Sequence, residues 1–292
     1  MAKPSPASGS LIVYIVARYG EPRKTTNNGK PDIIHERYSF EAQTDPPKRE
    51  DVELCRIQLK PGPVRLSLPH DIFSPSPGEL DFRYRQFVHA KPTHSVRVGF
   101  SRQVSHQIHT NFAYLKQALQ LLLPNVHIDL VTGDIDLSEL DESSSAETCN
   151  VVYVTEKELT SMATEYYQWF ERFVNRGGTF ILETEKGFNF SPQGRNIFQG
   201  LTDWQNLPIN HSFKTVPFLF TQPPEIDSQS INIALADGLI LIDGHLSSAW
   251  GIHRSLPRSD IRAAHELGAN LLQYIWQRQH LTDLSNWNVE YP

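Results

Sequence analysis

The sequence predicts an α/β protein in which a parallel sheet is covered by helices and preceded by a small antiparallel β-region. Three observations carry this expectation. Residues 159–183 read as an amphipathic helix, a Gly-Gly stop and a buried strand. Apolar runs at 96–100, 126–131, 151–154 and 179–182 alternate with helical or polar stretches, the pattern of parallel strands joined by crossovers. Residues 11–59 hold three strand patterns with no helix between them, which reads as an antiparallel sheet.

The 159–183 stretch organises the rest. Leu159, Met162, Ala163, Tyr166, Phe170, Phe173 and Val174 recur at helical spacing and form one apolar stripe. Arg176 suits the negative end of that helix, and Gly177-Gly178 supplies the left-handed C-terminal cap. The run 179–182 (TFIL) follows as a short strand, and 151–154 (VVYV) is its upstream partner, so the two make a βαβ unit.

Taken in order, residues 1–10 are small and Pro/Ser-rich and read as a flexible leader. Residues 11–17 (LIVYIVA) are a strand, 36–42 (ERYSFEA) a half-buried alternating strand, and 52–59 (VELCRIQL) a third. In the third strand Cys55, Ile57 and Leu59 share the apolar face. Three strands make a thin sheet with exposed edges, which calls for a partner in the same chain or another. Residues 60–93 carry six prolines and scattered aromatics and read as an arm. It either packs on the chain's own α/β domain or docks on a neighbouring subunit. The domain itself is expected over residues 94–284, with an amphipathic helix at 112–123 and a solvated acidic loop at 134–146. A hairpin through Asp237-Gly238 joins 231–236 to 239–242, and a helix at 261–279 carries a close packing contact at Gly268. Residues 285–292 read as a tail.

Composition narrows the function classes. The 292-residue chain has a net charge of −6 with both signs interspersed, which argues against a nucleic-acid binder. Cys55 and Cys149 have no CxxC spacing, as expected in a reducing compartment, although one long-range disulfide stays open. No stretch is apolar enough to span a bilayer, and residues 1–10 lack the apolar core of a signal peptide. A cytoplasmic location follows, with attachment to a membrane through a partner left open.

The motifs Arg176-Gly177-Gly178, 207–211 (LPINH) and 217–220 (PFLF), in this order, resemble DUF4159, a family of unknown function. Ala236-Asp237-Gly238 and 248–251 (SAWG) extend the likeness, which covers roughly residues 95–280. It implies a three-layer architecture, flavodoxin-like or class I glutamine-amidotransferase-like. The path from 11 to 59 resembles the end of a β-domain in cyanobacterial members of that family and in baseplate-associated proteins of phage-tail-like contractile injection systems. More β-structure precedes this point in those longer proteins, which implies either a shortened version or a split one whose further strands a partner chain supplies.

Chemistry has little support in the sequence. Amidotransferases place a nucleophilic Cys on a turn after the third strand; here that position reads Val154-Thr155-Glu156, and Cys149 lies at the other end of the strand. The turn after Phe100 lacks a Gly-rich phosphate loop. The twelve histidines include no HExxH and no zinc spacing, so no metal or cofactor is expected. Ligands in open α/β sheets bind at the carboxyl ends of the strands, so any vestigial pocket would be lined by Thr155, Glu156, Glu183, Glu185 and His211. These residues serve equally well as solvated strand-end charges and a His bracing a turn. The expectation is therefore a non-catalytic structural subunit working with other protein subunits, as in a contractile-injection baseplate or its extension. The alternative is a small-molecule binder or hydrolase-type enzyme using the strand-edge carboxylates.

Overall fold

The computed structural model describes residues 9–20, 37–48, 51–85, 94–123, 126–131, 135–137, 148–156, 158, 167–184, 200–252 and 255–286. The chain divides into two units, Met1–Lys91 with Leu284–Pro292, and Pro92–Asp283. It is a mixed α/β protein whose second unit is built on a seven-stranded sheet and whose first is a small antiparallel sheet.

In the first unit, β1 (Leu11–Gly20), β2 (Arg37–Gln43), β3 (Asp51–Leu59) and β4 (Leu80–Asp81) lie in the order β2-β1-β3-β4, every pair antiparallel. The fourth strand comes from the segment expected to be an arm. The alternation predicted for β3 holds, with Cys55, Ile57 and Leu59 buried, and it continues to Asp51 and Glu53. Val13, Ile57 and Leu59 form the core with Leu11, Ile15 and Leu80. The β1–β3 register shifts between Ile15 and Val16, and the buried set on β1 changes there from Val13 to Val16. A bulge of this kind turns a strand's faces over. It brings Val16 and Arg18 opposite Glu53 and Asp51. Arg18 then binds Asp51 through Nε at 2.7 Å, Glu41 at 2.6 Å and the Gln43 side chain at 2.9 Å. The Arg18 guanidinium, aided by the Lys48 amide, holds the Asp51 carboxyl well below the usual carboxylate range.

In the second unit, β5 (His94–Phe100), α1 (His106–Leu122), β6 (Val126–Leu130), β7 (Val151–Val154), α2 (Tyr167–Asn175) and β8 (Thr179–Thr184) follow one another as strands alternating with helices. Then come β9 (Thr202–Asp203), α3 (Ser212–Thr215), the small hairpin β10 (Glu225–Ile226) and β11 (Gln229–Ser230), β12 (Asn232–Ala236), β13 (Leu239–Asp243) and α4 (Arg258–Asn286). The sheet order is β6-β5-β7-β8-β13-β12-β9. The first five strands pair in parallel; β12 is antiparallel to β13, and β9 to β12. The parallel sheet expected from the alternating elements covers five strands, and with the expected hairpin the sheet as a whole is mixed. The cause is the Asp237-Gly238 turn: two residues can reverse a chain but cannot carry the crossover that a parallel pair requires. Gly238 takes a positive φ of 75° there, and a Cβ on it would meet the Val174 side chain at 2.5 Å.

Side chains alternate across this sheet. Val152, Val154, Phe180 and Leu182 pack against Trp169, Phe170, Phe173 and Val174 of α2. Phe100 and Tyr153 meet Phe112 of α1, which in turn meets Trp250. The Trp250 indole N–H donates to the Ala264 carbonyl of α4 at 2.9 Å. The contact foreseen at Gly268 is present: a Cβ there would meet Leu115 at 2.7 Å.

The end of α2 follows the sequence. Gly177, at φ 89°, donates to the Val174 carbonyl, and Gly178 to that of Phe173, both at 2.9 Å, the paired bonds of a Schellman cap. A Cβ on Gly178 would strike the Phe173 ring. The cation that meets this negative helix end with buried bonds is Arg278 from α4. Its Nη2 donates to the Val174 carbonyl at 2.9 Å and Nη1 to the Gly178 carbonyl at 2.7 Å. Nε and Nη2 also reach Asp237 in the hairpin turn.

Three other expectations change. Helix α1 begins at His106 rather than residue 112, because its polar first turns still bury Asn111 and stack His109 on Phe100 at 4.1 Å. Within the stretch expected to be a solvated loop, Ile135 and Leu137 are core residues, and Ile135 bridges Ser101. The last helix runs on to Asn286. The expected helical residues 159–166 and the tail beyond 286 lie outside the described residues.

Arg278→Ala is expected to destabilise the second unit by about 2–4 kcal/mol, because the Gly178 carbonyl loses its donor, the Val174 carbonyl keeps only that of Gly177, and the packing of a buried side chain is lost. Asp237→Ala should cost less, about 1–2 kcal/mol, because the lost carboxylate is itself 70% exposed and the buried guanidinium keeps its two carbonyl acceptors. Urea melts of the two variants check the contrast. Asp51 adds a pH signature. Its folded-state pKa is depressed, so its contribution is present above the ordinary carboxylate value of about 3.9 and is lost as pH falls towards the folded value. Thermal melts across acid pH should show this loss in the wild type and a flatter profile, starting from lower stability, in Asp51→Asn.

Candidate functional site

The carboxyl ends of β5, β7 and β8 bring two carboxylates into buried hydrogen-bond clusters. At the first, β7 ends at Val154, and Thr155 opens a helical turn that includes Glu156 and Glu158. The Thr155 amide donates to Glu158 Oε2 at 3.0 Å, the Thr155 hydroxyl donates to the same oxygen at 2.8 Å, and the Glu158 amide points back at Thr155 Oγ1 at 3.4 Å. This is a Thr-x-x-Glu capping box, in which each residue satisfies the other's backbone donor. The neighbouring strand adds two donors: Ser101 Oγ, just after β5, bonds Glu158 Oε2, and the Gln103 amide donates to Oε1 at 3.2 Å. Glu158 thus joins the ends of β5 and β7, between which the crossovers leave the sheet in opposite directions.

The second cluster centres on Glu183 near the end of β8. The Tyr153 hydroxyl, from β7, donates to Glu183 Oε2. The Ser247 amide donates to Oε1 at 2.8 Å, and the Ser247 hydroxyl donates to Oε2. Ser247 belongs to the single 3-10 turn, Leu246–Trp250, that follows β13. Burial pushes the Glu183 carboxyl above its usual range, against the opposing pull of its donors and of His245. Burial and the facing Glu183 likewise push the Tyr153 phenol well above its ordinary value.

Glu156 and His211 take no part in the hydrogen bonds named above. Glu156 is exposed on the turn that Thr155 caps. Glu185 lies outside the described residues. His211 caps α3: its Nδ1 accepts from the Phe213 amide at 3.3 Å, and its ring lies 5.8 Å from that of Tyr274 on α4. The PFLF segment is held there by Asn270 of α4, whose amide donates to the carbonyls of Phe213 and Phe218 and accepts from the Phe218 amide. Lys214 is buried beside it, donating to the Leu207 carbonyl at 2.9 Å, and burial lowers its pKa.

No family model matches this chain, and no curated protein matches it.

The two thiols are poor nucleophiles. Both are buried and free, and burial pushes each up to about 11. Among the described residues no group of three or more His, Cys, Asp or Glu is placed to hold a metal ion, and no helix is long and apolar enough to cross a membrane. Of the five residues expected to line a pocket, the structure brings Thr155 to Glu158 and Glu183 to Tyr153 and Ser247. Glu158, Tyr153 and Ser247 were not anticipated. The Thr155-x-x-Glu158 spacing was legible as a cap, whereas Ser247 carries no local signal.

Glu183 supplies a directional test. Because its folded-state pKa is raised, its contribution to stability is fully present below the ordinary glutamate value of about 4.3 and is lost as pH rises through the folded value. Glu183→Gln should therefore match or exceed the wild-type melting temperature at neutral pH, with the gap closing as the pH is lowered towards 4. Melting curves across that interval check it.

Proposed function

We propose that this chain is a non-catalytic assembly subunit whose second unit is a three-layer, flavodoxin-like scaffold. One observation carries the reading: Glu158 and Glu183, carboxylates at strand ends where such a sheet would take a ligand, are bonded by the chain's own donors. Glu158 takes the hydroxyls of Ser101 and Thr155 and the amides of Gln103 and Thr155. Glu183 takes Tyr153 and Ser247. These groups serve as caps and cross-links between strands. The order of the five parallel strands supports the scaffold part of the reading. Numbered along the chain they run 2-1-3-4-5 across the sheet, the flavodoxin-like order, with Glu158 at its switch point.

The resemblance of residues 95–280 to DUF4159, and of the N-terminal strands to baseplate-associated proteins, points in the same direction. The corresponding role is a cytoplasmic subunit of a contractile-injection baseplate or its extension, contacting other protein subunits. A second reading rests on Glu183, a carboxylate with a raised pKa beside the Ser247 hydroxyl at a strand end. Those are the groups a small-molecule binder or a hydrolase-type enzyme would use.

Light scattering after size exclusion, with a thermal-shift screen on the same preparation, separates the two. The assembly reading expects masses above one chain, unchanged in Glu183→Gln and His211→Ala, and no ligand-dependent rise in melting temperature. A saturable rise with a small molecule that disappears in Glu183→Gln would overturn it in favour of the second reading.

A further inference from the structure

The first unit has one face cross-linked by polar side chains and one that carries exposed aromatics. Across its strands, Ser39 lies opposite Arg18 and Arg18 opposite Asp51; Glu41 lies opposite Val16 and Val16 opposite Glu53. Residues directly opposite one another share a face. That face is cross-linked, with Val16, Asp51 and Glu53 buried and the half-buried Arg18 tying Glu41, Gln43 and Asp51 together. The next row belongs to the other face: Phe40 lies opposite Ala17, and Ala17 opposite Val52. Ala17 is too small to cover its neighbour. Phe40 is 67% exposed and Tyr38 73%, their rings meeting edge to face at 5.8 Å. Two large aromatics held out from a cross-linked sheet have the composition and the rigidity of an interface anchor.

Charge says what fits there. The first unit, residues 1–91 with 284–292, holds 14 Lys and Arg against 12 Asp and Glu, whereas residues 92–283 hold 13 against 21. The chain thus joins a basic unit bearing an open aromatic face to a strongly acidic unit, and two copies are complementary when the basic unit of one meets the acidic unit of the other. Basic-to-basic or acidic-to-acidic contacts are disfavoured by like charge.

We propose that the Tyr38–Phe40 face docks on the acidic unit, residues 92–283, of a second copy of this chain. The contact is heterologous, joining two different surfaces, so copies add head to tail into a ring or a filament. This deepens the assembly reading and rests on it, since it names the partner as the chain itself.

The experiment uses the full-length chain. Sedimentation over a concentration series at low and high salt measures self-association in the wild type and in Tyr38→Ser/Phe40→Ser, and a benzophenone side chain placed at position 38 captures the contact. Circular dichroism confirms that the variants fold, as substitutions at exposed positions of β2 allow. The expected result is association that weakens about tenfold or more from low to high salt, because charges beyond about 10 Å are screened at 0.1 M. It should also weaken about thirtyfold in the double variant, as loss of an anchor does. Cross-links should fall within residues 92–283 of another copy. Association unchanged in the double variant, or cross-links to residues 1–91 of the other copy, would overturn the proposal. So would a wild type that stays a single chain. If that single chain enters a complex with a different subunit, the head-to-tail proposal fails and the assembly reading stands. If it instead takes up a small molecule in a Glu183-dependent way, both fail.

Discussion

The second unit depends on one side chain, Arg278. From the last helix its guanidinium reaches the carbonyl end of α2, the turn that leads into β8, and the turn between β12 and β13. Those three places are where the sheet changes character: α2 closes the βαβ unit, β8 is the last strand before the long return, and the hairpin turns a parallel sheet into a mixed one. A buried guanidinium making four hydrogen bonds to three acceptors is costly to leave unpaired, so its stability depends on their staying in position. The bond set therefore fixes the helix end and the hairpin relative to each other. Gly177 and Gly178 make the approach feasible, since a Cβ on Gly177 would strike the backbone of Gln279, next to Arg278 on α4.

The same principle governs the strand ends. Buried carboxylates persist when every lone pair has a donor. Glu158 draws donors from the ends of two adjacent strands, and Glu183 from a strand and the single turn after β13. Each behaves as a polar cross-link that replaces the packing a loop end cannot provide. In the first unit Arg18 plays the complementary part, a cation between buried or half-buried acids, enabled by the register shift that brings it onto their face. In both units, then, polar groups at the margins of a sheet are spent on holding strands together.

Much of the architecture was legible because it is local. The 3.6-residue stripe and the Gly-Gly stop give α2 and its cap, the alternation in β3 gives its buried side, and Asp237-Gly238 gives a hairpin. What escaped the sequence is what depends on distant partners. The direction of β12 within the sheet could be read only once β13 was known to join β8. Helix α1 was read too short because His106, Gln107 and His109 interrupt the apolar period, although His109 stacks on Phe100. Ile135 and Leu137 were hidden in an acidic stretch. For the site, Thr155 and Glu183 were picked for their place at strand ends, but their meaning comes from Glu158, Tyr153 and Ser247. Only the Thr155-Glu158 spacing is a local signal, and it reads as a cap only when a helix is known to start there. His211 was placed near the same rim and instead caps α3, held with Asn270 on α4.

Hydrogen exchange at the backbone amides of Gln103, Thr155 and Ser247 tests most directly whether the strand-end carboxylates are internal cross-links. Each of these amides donates to Glu158 or Glu183. The account predicts that they exchange as slowly as the buried amides of α4, opening only when the second unit unfolds. Exchange at the rate of an open loop would contradict it, for the carboxylates would then be free to meet a ligand.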